Sequence, residues 1–293
     1  MIKNINISCS CSFKDLNKVE NWLIPSLINQ NKLKHINLFL INYAENKKLF
    51  TKKINSNKIN VIELYFKKVG FGEAHNLVFK YVKPKEKFFM IVNPDVYMHN
   101  DCIFNLIKTF NSNKKVGIVE ARQLPFEHPK EYSISNQETP WASGFCSLIN
   151  TKLFEINNGF DEKFWMYCED VDFSWRTWLN NYKVLYEPRA VAYHYTGSYF
   201  NYNNYQYYLE QFWSAQNFIY LMYKFWGTVG EHVAIKLLNK TSYSNDFKQK
   251  ILQSYKSRNL RRNFFRFPNI KILKYKNKIK VLGFNQYHEF NEN

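Results

Sequence analysis

The sequence predicts an α/β protein with a mainly parallel, Rossmann-like mixed sheet flanked by helices, followed by a basic, aromatic helical extension. Three observations carry this. Apolar runs of strand length alternate with helix-length segments through the first half of the chain, the pattern of βαβ units. Phe88 to Val92 is apolar without alternation, as expected of a strand covered on both faces. From Tyr205 to Trp226 apolar residues recur at a helical period, and beyond Phe247 the chain becomes basic and aromatic.

In order, Ile5 to Cys9 and Ile36 to Ile41 read as strands with a helix around Leu16 to Leu27 between them. Val61 to Phe66 is a third strand, and Gly70-Phe71-Gly72 opens a helix through Tyr81. The buried strand Phe88 to Val92 ends in Asn93-Pro94-Asp95, and a helix from about Asp101 to Phe110 leads to a strand at Val116 to Ala121. Gln123 to Thr139 is polar and Pro-interrupted, which predicts a long, mobile loop. Ser147 to Ile149 is a strand and Cys168 to Leu179 a helix, with short strands at Val184 to Tyr186 and Ala190 to His194. This divides the chain into an α/β domain over 1–200 and an extension over 201–293.

Composition bounds the class. With 45% hydrophobic residues, 18% aromatic, nine Gly and eight Pro, the 293-residue chain can bury a large core. No stretch reaches the ~20 apolar residues of a membrane-spanning helix. The N-terminus also lacks the long apolar segment of a secretory signal, so a cytoplasmic location is expected. Five Cys without paired zinc spacing read as reduced thiols. The formal charge of +17 is concentrated late: between Phe247 and His288 stand about a dozen Lys and Arg and no acid.

In a parallel sheet, ligands bind outside the carboxyl ends of the strands. Asp95 stands at such an end, where a lone carboxylate suits a hard divalent cation completed by water and phosphate oxygens, or else caps a helix. Gly70-Phe71-Gly72 to Asn76 follows a strand, but His75 occupies the place of a third Gly; the segment allows close approach to a nucleotide or forms a turn. Glu169, Asp170 and Asp172 open a helix beside Trp165 and Tyr167, either complementing the helix dipole or supplying a general base. In helical spacing Glu169 and Asp172 share a face and Asp170 points elsewhere. His194 ends an apolar strand, as a metal ligand or as a structural residue, and Trp141 with Ser143 and Gly144 offers a sugar platform or a turn.

Taken together, Gly70-Phe71-Gly72 to Asn76, Asn93-Pro94-Asp95-Val96, Ser143-Gly144, Gly159-Phe160-Asp161-Glu162, Tyr167 to Asp172 and His194 resemble the family-two glycosyltransferases of the GT-A fold. The likeness is greatest to the bacterial rhamnosyltransferase-like branch and covers roughly residues 1 to 226. It implies inverting transfer of a hexosyl or deoxyhexosyl group from a nucleotide-diphosphate sugar to an acceptor hydroxyl, with Mn²⁺ or Mg²⁺ as cofactor. By the same resemblance Asp95 and His194 hold the metal, with Asn93 where the first acid of the metal motif often stands. Asp170 is the base, with Glu169 as the alternative. Ser8, Ser10, Gly70, Asn76, Asn93 and Asp95 face the donor, and Trp141, Ser143, Gly144 and Trp165 the acceptor.

The basic extension suits an anionic membrane surface, where each Lys or Arg contributes ~1 kcal/mol before screening, or a dimer contact. A polyisoprenoid-diphosphate-linked glycan on the route to O-antigen or capsule would be the acceptor there, at the inner face of the cytoplasmic membrane. Two other classes compete. A nucleotidyltransferase acting on sugar phosphates would release pyrophosphate, and a nucleic-acid-binding protein would account for the charge but not for the acids at Glu169 to Asp172.

Overall fold

The structure, a computed structural model, describes residues 2–12, 15–43, 54, 56–128, 132–195, 204–260, 281–283 and 286–288. The alternation of the first half becomes β1 (Ile2–Cys11), β2 (Leu33–Asn42) and β3 (Ile59–Tyr65), with a helical connection between β1 and β2. That connection runs through α1 (Leu16–Lys18), a π-helical turn (Val19–Leu23) and α2 (Ile24–Ile28). The wide turn sits directly before Pro25, whose ring crowds the carbonyl four residues back, and the Ile24 N–H reaches Val19 O instead.

Next come α3 (Phe71–Val82), β4 (Phe88–Val92), β5 (Val96–Met98), α4 (Cys102–Ser112) and β6 (Val116–Leu124). The sheet-forming part of the chain closes with β7 (Cys146–Asn150), α5 (Thr151–Ile156), α6 (Glu169–Leu179) and β8 (Lys183–His194). The eight strands form one sheet in the order β3-β2-β1-β4-β7-β6-β8-β5. β3, β2, β1 and β4 are mutually parallel and β6 pairs parallel with β8, while β7 runs antiparallel between β4 and β6.

The expected pair of strands at 184–186 and 190–194 is one strand. Its pairing to β6 jumps from Ala121↔Glu187 to Arg122↔Val191, because Pro188 has no N–H to give the ladder. The segment expected as a mobile loop over Gln123–Thr139 is partly tied down: β6 runs to Leu124, Glu138 bridges Leu185, and Thr139 N–H donates to Val184 O at 3.0 Å. Residues 129–131 of it lie outside the described residues.

Alternation along β1 sends Ile5, Ile7, Cys9 and Cys11 into one core with Val19, Leu23 and Leu27 and with Ile103, Leu106 and Phe110 of α4. Asn6 and Ser8 point to the opposite face, where α3 and α6 pack. All five Cys are buried and unpaired, in line with reduced thiols. The helices after residue 200 belong to the second core. α7 (Asn204–Lys240, broken at Gly227) and α8 (Asn245–Ser257) bury Phe218, Ile219, Met222, Phe225 and Ile251 with Phe164, Phe173 and Trp175. Residue 200 therefore marks no break in the packing. Most of the basic C-terminal segment, including Phe264, Phe265, Phe267 and Tyr275, lies outside the described residues; Val281–Gly283 (β9) and Gln286–His288 (β10) form a small hairpin.

Candidate active site

The carboxyl ends of β1, β4, β6 and β8 meet at one end of the sheet. Asp95, just past β4, and His194, the last residue of β8, face each other with Oδ1 and Nε2 at 3.2 Å. Val96 pairs with His194 in the sheet, which sets this meeting by backbone register. His194 Nδ1 lies 2.9 Å from Gln123 Oε1 at the end of β6. With Nδ1 donating to that oxygen, Nε2 keeps its lone pair toward Asp95 and toward Asn93 Nδ2 at 3.1 Å. The Phe145 ring stacks on the imidazole at 5.3 Å, and Asn93 Oδ1 is buried with no hydrogen-bond partner among the described residues.

A carboxylate, an imidazole lone pair and an unsatisfied amide oxygen are N/O donors of the kind Mn²⁺ accepts, and Mg²⁺ needs few protein ligands beyond substrate phosphates and water. Among the described residues no group of three or more His, Cys, Asp and Glu converges on a metal position, so phosphate and water must complete any shell. Lys18, from the helical connection after β1, approaches Asp95 Oδ2 at 3.6 Å and lies over the Tyr195 ring.

The second acidic group begins α6. Tyr167 and Cys168, directly before it, both have left-handed φ values of 72° and 69°. The three acids that follow diverge as the helical spacing requires. Asp172 is fully buried and paired with Arg176 and Lys224 at 2.7 and 2.5 Å. Glu169 is buried beside Gly72, and burial, reinforced by the charges of Asp170 and Asp172, raises its carboxyl well above the usual range. Asp170 remains half-buried; its Oδ2 accepts from Gly144 N–H at 3.2 Å and its Oδ1 from Val171 N–H at 2.8 Å.

An extended segment joins the two acidic centres. Residues 140, 142 and 144 alternate onto α6: Pro140 O accepts from Trp178 Nε1, Ala142 N–H donates to Ser174 Oγ, and Gly144 N–H donates to Asp170. Steps of two along an extended chain thereby match steps of four along a helix. The next residue, Phe145, covers His194 with its ring and accepts the Asn93 N–H at 2.8 Å. Asp170 and the Asp95–His194 pair thus flank a single two-residue step of backbone.

Several residues expected to touch ligand are instead committed to the fold. Ser8 is buried, its Oγ 2.7 Å from His75 Nδ1, and so ties β1 to α3. His75 itself is fully buried, which lowers its pKa to about 3. Asn76 spends its amide on Phe160, donating to the carbonyl at 2.9 Å and accepting the N–H at 2.8 Å, with a further bond to Glu162. Gly70 is needed for chain contact: a Cβ there would stand 2.7 Å from Trp165 O, to which Phe71 N–H donates. Trp141, at 4% exposure, is too enclosed to be an open platform, and Ser143 is turned into the fold, its Oγ accepting from Phe145 N–H.

Ser10 and Trp165 stay half-buried, the former bonded to Tyr43 at the end of β2. Met166 is exposed beside Trp165. Lys18, Gln123 and Phe145 are site residues the sequence did not single out. The local signal for two of them is position, since Gln123 stands just past the predicted strand Val116 to Ala121 and Phe145 follows Ser143-Gly144.

Comparison with known proteins agrees with this architecture. No protein-family profile matches the chain. It is 28% identical over 160 residues to the rhamnosyltransferase WbbL of Escherichia coli K12, covering 43% of this chain and 61% of that protein. It is 37% identical over 60 residues to an N-acetylglucosaminyl-diphospho-decaprenol L-rhamnosyltransferase of Mycobacterium tuberculosis, 20% of each. The chain spans less than two thirds of the first relative and a fifth of the second. Among solved structures, the mannosyltransferase PcManGT of Pyrobaculum calidifontis, in complex with GDP-Man and Mn²⁺, superposes with a TM-score of 0.55 at 12% identity, covering 93% of this chain and 86% of that one. Residues 1–349 of S. aureus TarS superpose with a TM-score of 0.53 at 14% identity, covering 88% and 71%. At such identities the likeness is one of fold. The chain has the GT-A glycosyltransferase fold and is rhamnosyltransferase-like in sequence.

Proposed function

We propose that this protein transfers a sugar from a nucleotide-diphosphate donor to a hydroxyl of a glycan acceptor, with inversion at the anomeric carbon. The observation that carries this is the pairing of Asp170 with the Asp95–His194 pair through Gly144 and Phe145: one carboxylate for the nucleophile and one polar pair for the leaving diphosphate. Asp170 takes the proton of the acceptor hydroxyl as its oxygen attacks the anomeric carbon and the bond to the diphosphate oxygen breaks on the opposite face. Glu169 is the weaker choice for this role, because burial favours its neutral form. Asp95 and His194, with Asn93 beside them, would hold Mn²⁺ or Mg²⁺. The bound cation would neutralise charge growing on the departing diphosphate, and a Mn²⁺ complex of a protein of the same fold supports this. Lys18 brings a further positive charge to the same place.

A lipid-linked acceptor is supported by the mycobacterial relative, whose name specifies a diphospho-decaprenol substrate, and by the basic C-terminal segment. This fits a role in bacterial surface polysaccharide synthesis at the inner face of the cytoplasmic membrane. No helix among the described residues is long and apolar enough to cross a membrane, so attachment would be peripheral. Co-sedimentation with vesicles of anionic phospholipid, weakening as salt is raised, is expected. Absence of binding at physiological salt would remove the membrane from the account.

Thermal unfolding with UDP-, dTDP- and GDP-sugars, with and without Mn²⁺, tests the donor site. Binding at a hundredfold excess over Kd stabilises the native state by about 2.7 kcal/mol. One nucleotide class is expected to raise the unfolding temperature in a Mn²⁺-dependent way, and Asp95→Ala to abolish the Mn²⁺-dependent part. A shift that Asp95→Ala leaves intact would place the diphosphate elsewhere.

A further inference from the structure

Helix α7 carries Asn217, Tyr220 and Lys224 at i, i+3 and i+7, on one face, and all three hold the segment that leads into α6. Asn217 Nδ2 donates to Met166 O at 2.7 Å and to Tyr167 O at 3.0 Å. Tyr220 OH donates to Asp161 Oδ2 at 3.0 Å, and Lys224 Nζ bridges Asp161 and Asp172. From the end of α8, Arg258 Nη1 donates to Asn217 Oδ1 at 2.8 Å, and its other terminal nitrogen donates to Lys163 O.

The two carbonyls that Asn217 holds frame the unusual part of this segment. Tyr167 and Cys168 are consecutive non-Gly residues at left-handed φ, a conformation that costs roughly 1–3 kcal/mol each and persists only where the surroundings enforce it. Asp170 follows two residues later. A fully buried Asn is costly unless both ends of its amide are used, as they are here. Arg258 occupies the amide oxygen, so the amide nitrogen must face the turn.

We propose that Asn217, oriented by Arg258, is a positioning residue for Asp170: α7 and α8 hold the left-handed turn that aims the carboxylate at Gly144 and the acceptor side of the site. This rests on the assignment of Asp170 as the base. It makes the Asn217–Arg258 contact, contributed by the helices beyond residue 200, a support of the catalytic site.

The test compares Asn217→Ala, Arg258→Ala, Arg258→Lys, Asp170→Asn and the core control Leu238→Ala. Donor turnover is followed as release of nucleoside diphosphate, using whichever UDP-, dTDP- or GDP-sugar stabilises the wild type. Small displacements of a catalytic group cost up to ~10²-fold. Asn217→Ala and Arg258→Ala are expected to lower kcat roughly 10- to 100-fold with donor affinity changed less than about threefold, and Arg258→Lys to recover part of the loss. Leu238→Ala, in the same core but with no part in these hydrogen bonds, is expected to lose stability and keep kcat. Arg258, at the surface end of α8, keeps the test open if Asn217→Ala does not fold. Wild-type kcat in Arg258→Ala, or kcat that simply follows thermal stability across the set, would overturn the proposal while Asp170→Asn stays inactive. Wild-type turnover in Asp170→Asn would overturn the base assignment, and this inference with it.

Discussion

Asp170→Asn is expected to lower kcat for sugar transfer roughly 10²–10⁴-fold, the usual worth of a positioned general base, with donor affinity and unfolding temperature close to wild type. The amide keeps the shape of the carboxylate and can still accept from Gly144 N–H, so the site should survive while its proton acceptor is lost. Glu169→Gln is expected to behave differently. Burial favours the neutral form of Glu169, and its Oε2 has no partner among the described residues, so an amide of the same size changes little there. Steady-state kinetics on the two variants decide between the carboxylates: the larger loss in Glu169→Gln would reverse the assignment.

Lys224→Ala is expected to lower folding stability by about 3–5 kcal/mol, the cost of stranding buried charges. Its side chain is 4% exposed and stands between Asp161 and Asp172. Without it Asp172 keeps Arg176, but Asp161 keeps the Tyr220 hydroxyl, the Lys163 N–H and the nearby charge of Arg258. In a domain of this size that corresponds to a fall in unfolding temperature on the order of 10 °C.

The pH dependence carries a second signature. Burial alone would raise the Asp161 carboxyl, but the charge and hydrogen bond of Lys224, with those from Lys163 and Tyr220, outweigh it and hold Asp161 below its ordinary value of 3.8. A depressed carboxylate contributes stability that is complete above its unfolded pKa and is lost as pH falls through the lower folded one. Wild type should therefore lose this contribution below about pH 4, and Lys224→Ala should lose less over that range, having less to lose. Urea unfolding at several pH values measures both effects. A stability change below about 1 kcal/mol at neutral pH would show that the bridge is solvent-screened rather than buried.

The parts of this molecule that could be read from the sequence are those set by local period and by strand ends. Phe88 to Val92 announces a strand buried on both faces, and a strand of that kind leaves Asp95 at the binding end of the sheet. The spacing of Glu169, Asp170 and Asp172 already separates one carboxylate from the other two, and the structure buries Glu169 and Asp172 while leaving Asp170 accessible. What local pattern could not supply is the far partner of a polar side chain. Ser8 and Asn76 have the residue types of nucleotide contacts, yet they meet His75 and Phe160, and the same hydroxyl or amide serves either purpose. Lys18 reaches Asp95 only because the helical connection after β1 folds over the strand ends.

The same holds for the C-terminal helices. The apolar period of α7 suggests an amphipathic surface helix, whereas residues 215 to 225 are buried nearly all round, because α6 packs on one side and α8 on another. Its buried polar residues are then the informative ones. Asn217 and Lys224 interrupt the apolar pattern where the helix meets the turn and acids of α6.

In the proposed reaction, one end of this sheet breaks a sugar–diphosphate bond with a carboxylate on the opposite side. The most direct measurement is the product of a donor reaction followed by NMR, with UDP-, dTDP- and GDP-sugars, Mn²⁺ and a glycan acceptor. Release of a nucleoside diphosphate and an inverted anomeric configuration in the product are expected; pyrophosphate, or retained configuration, would rule out the proposed transfer.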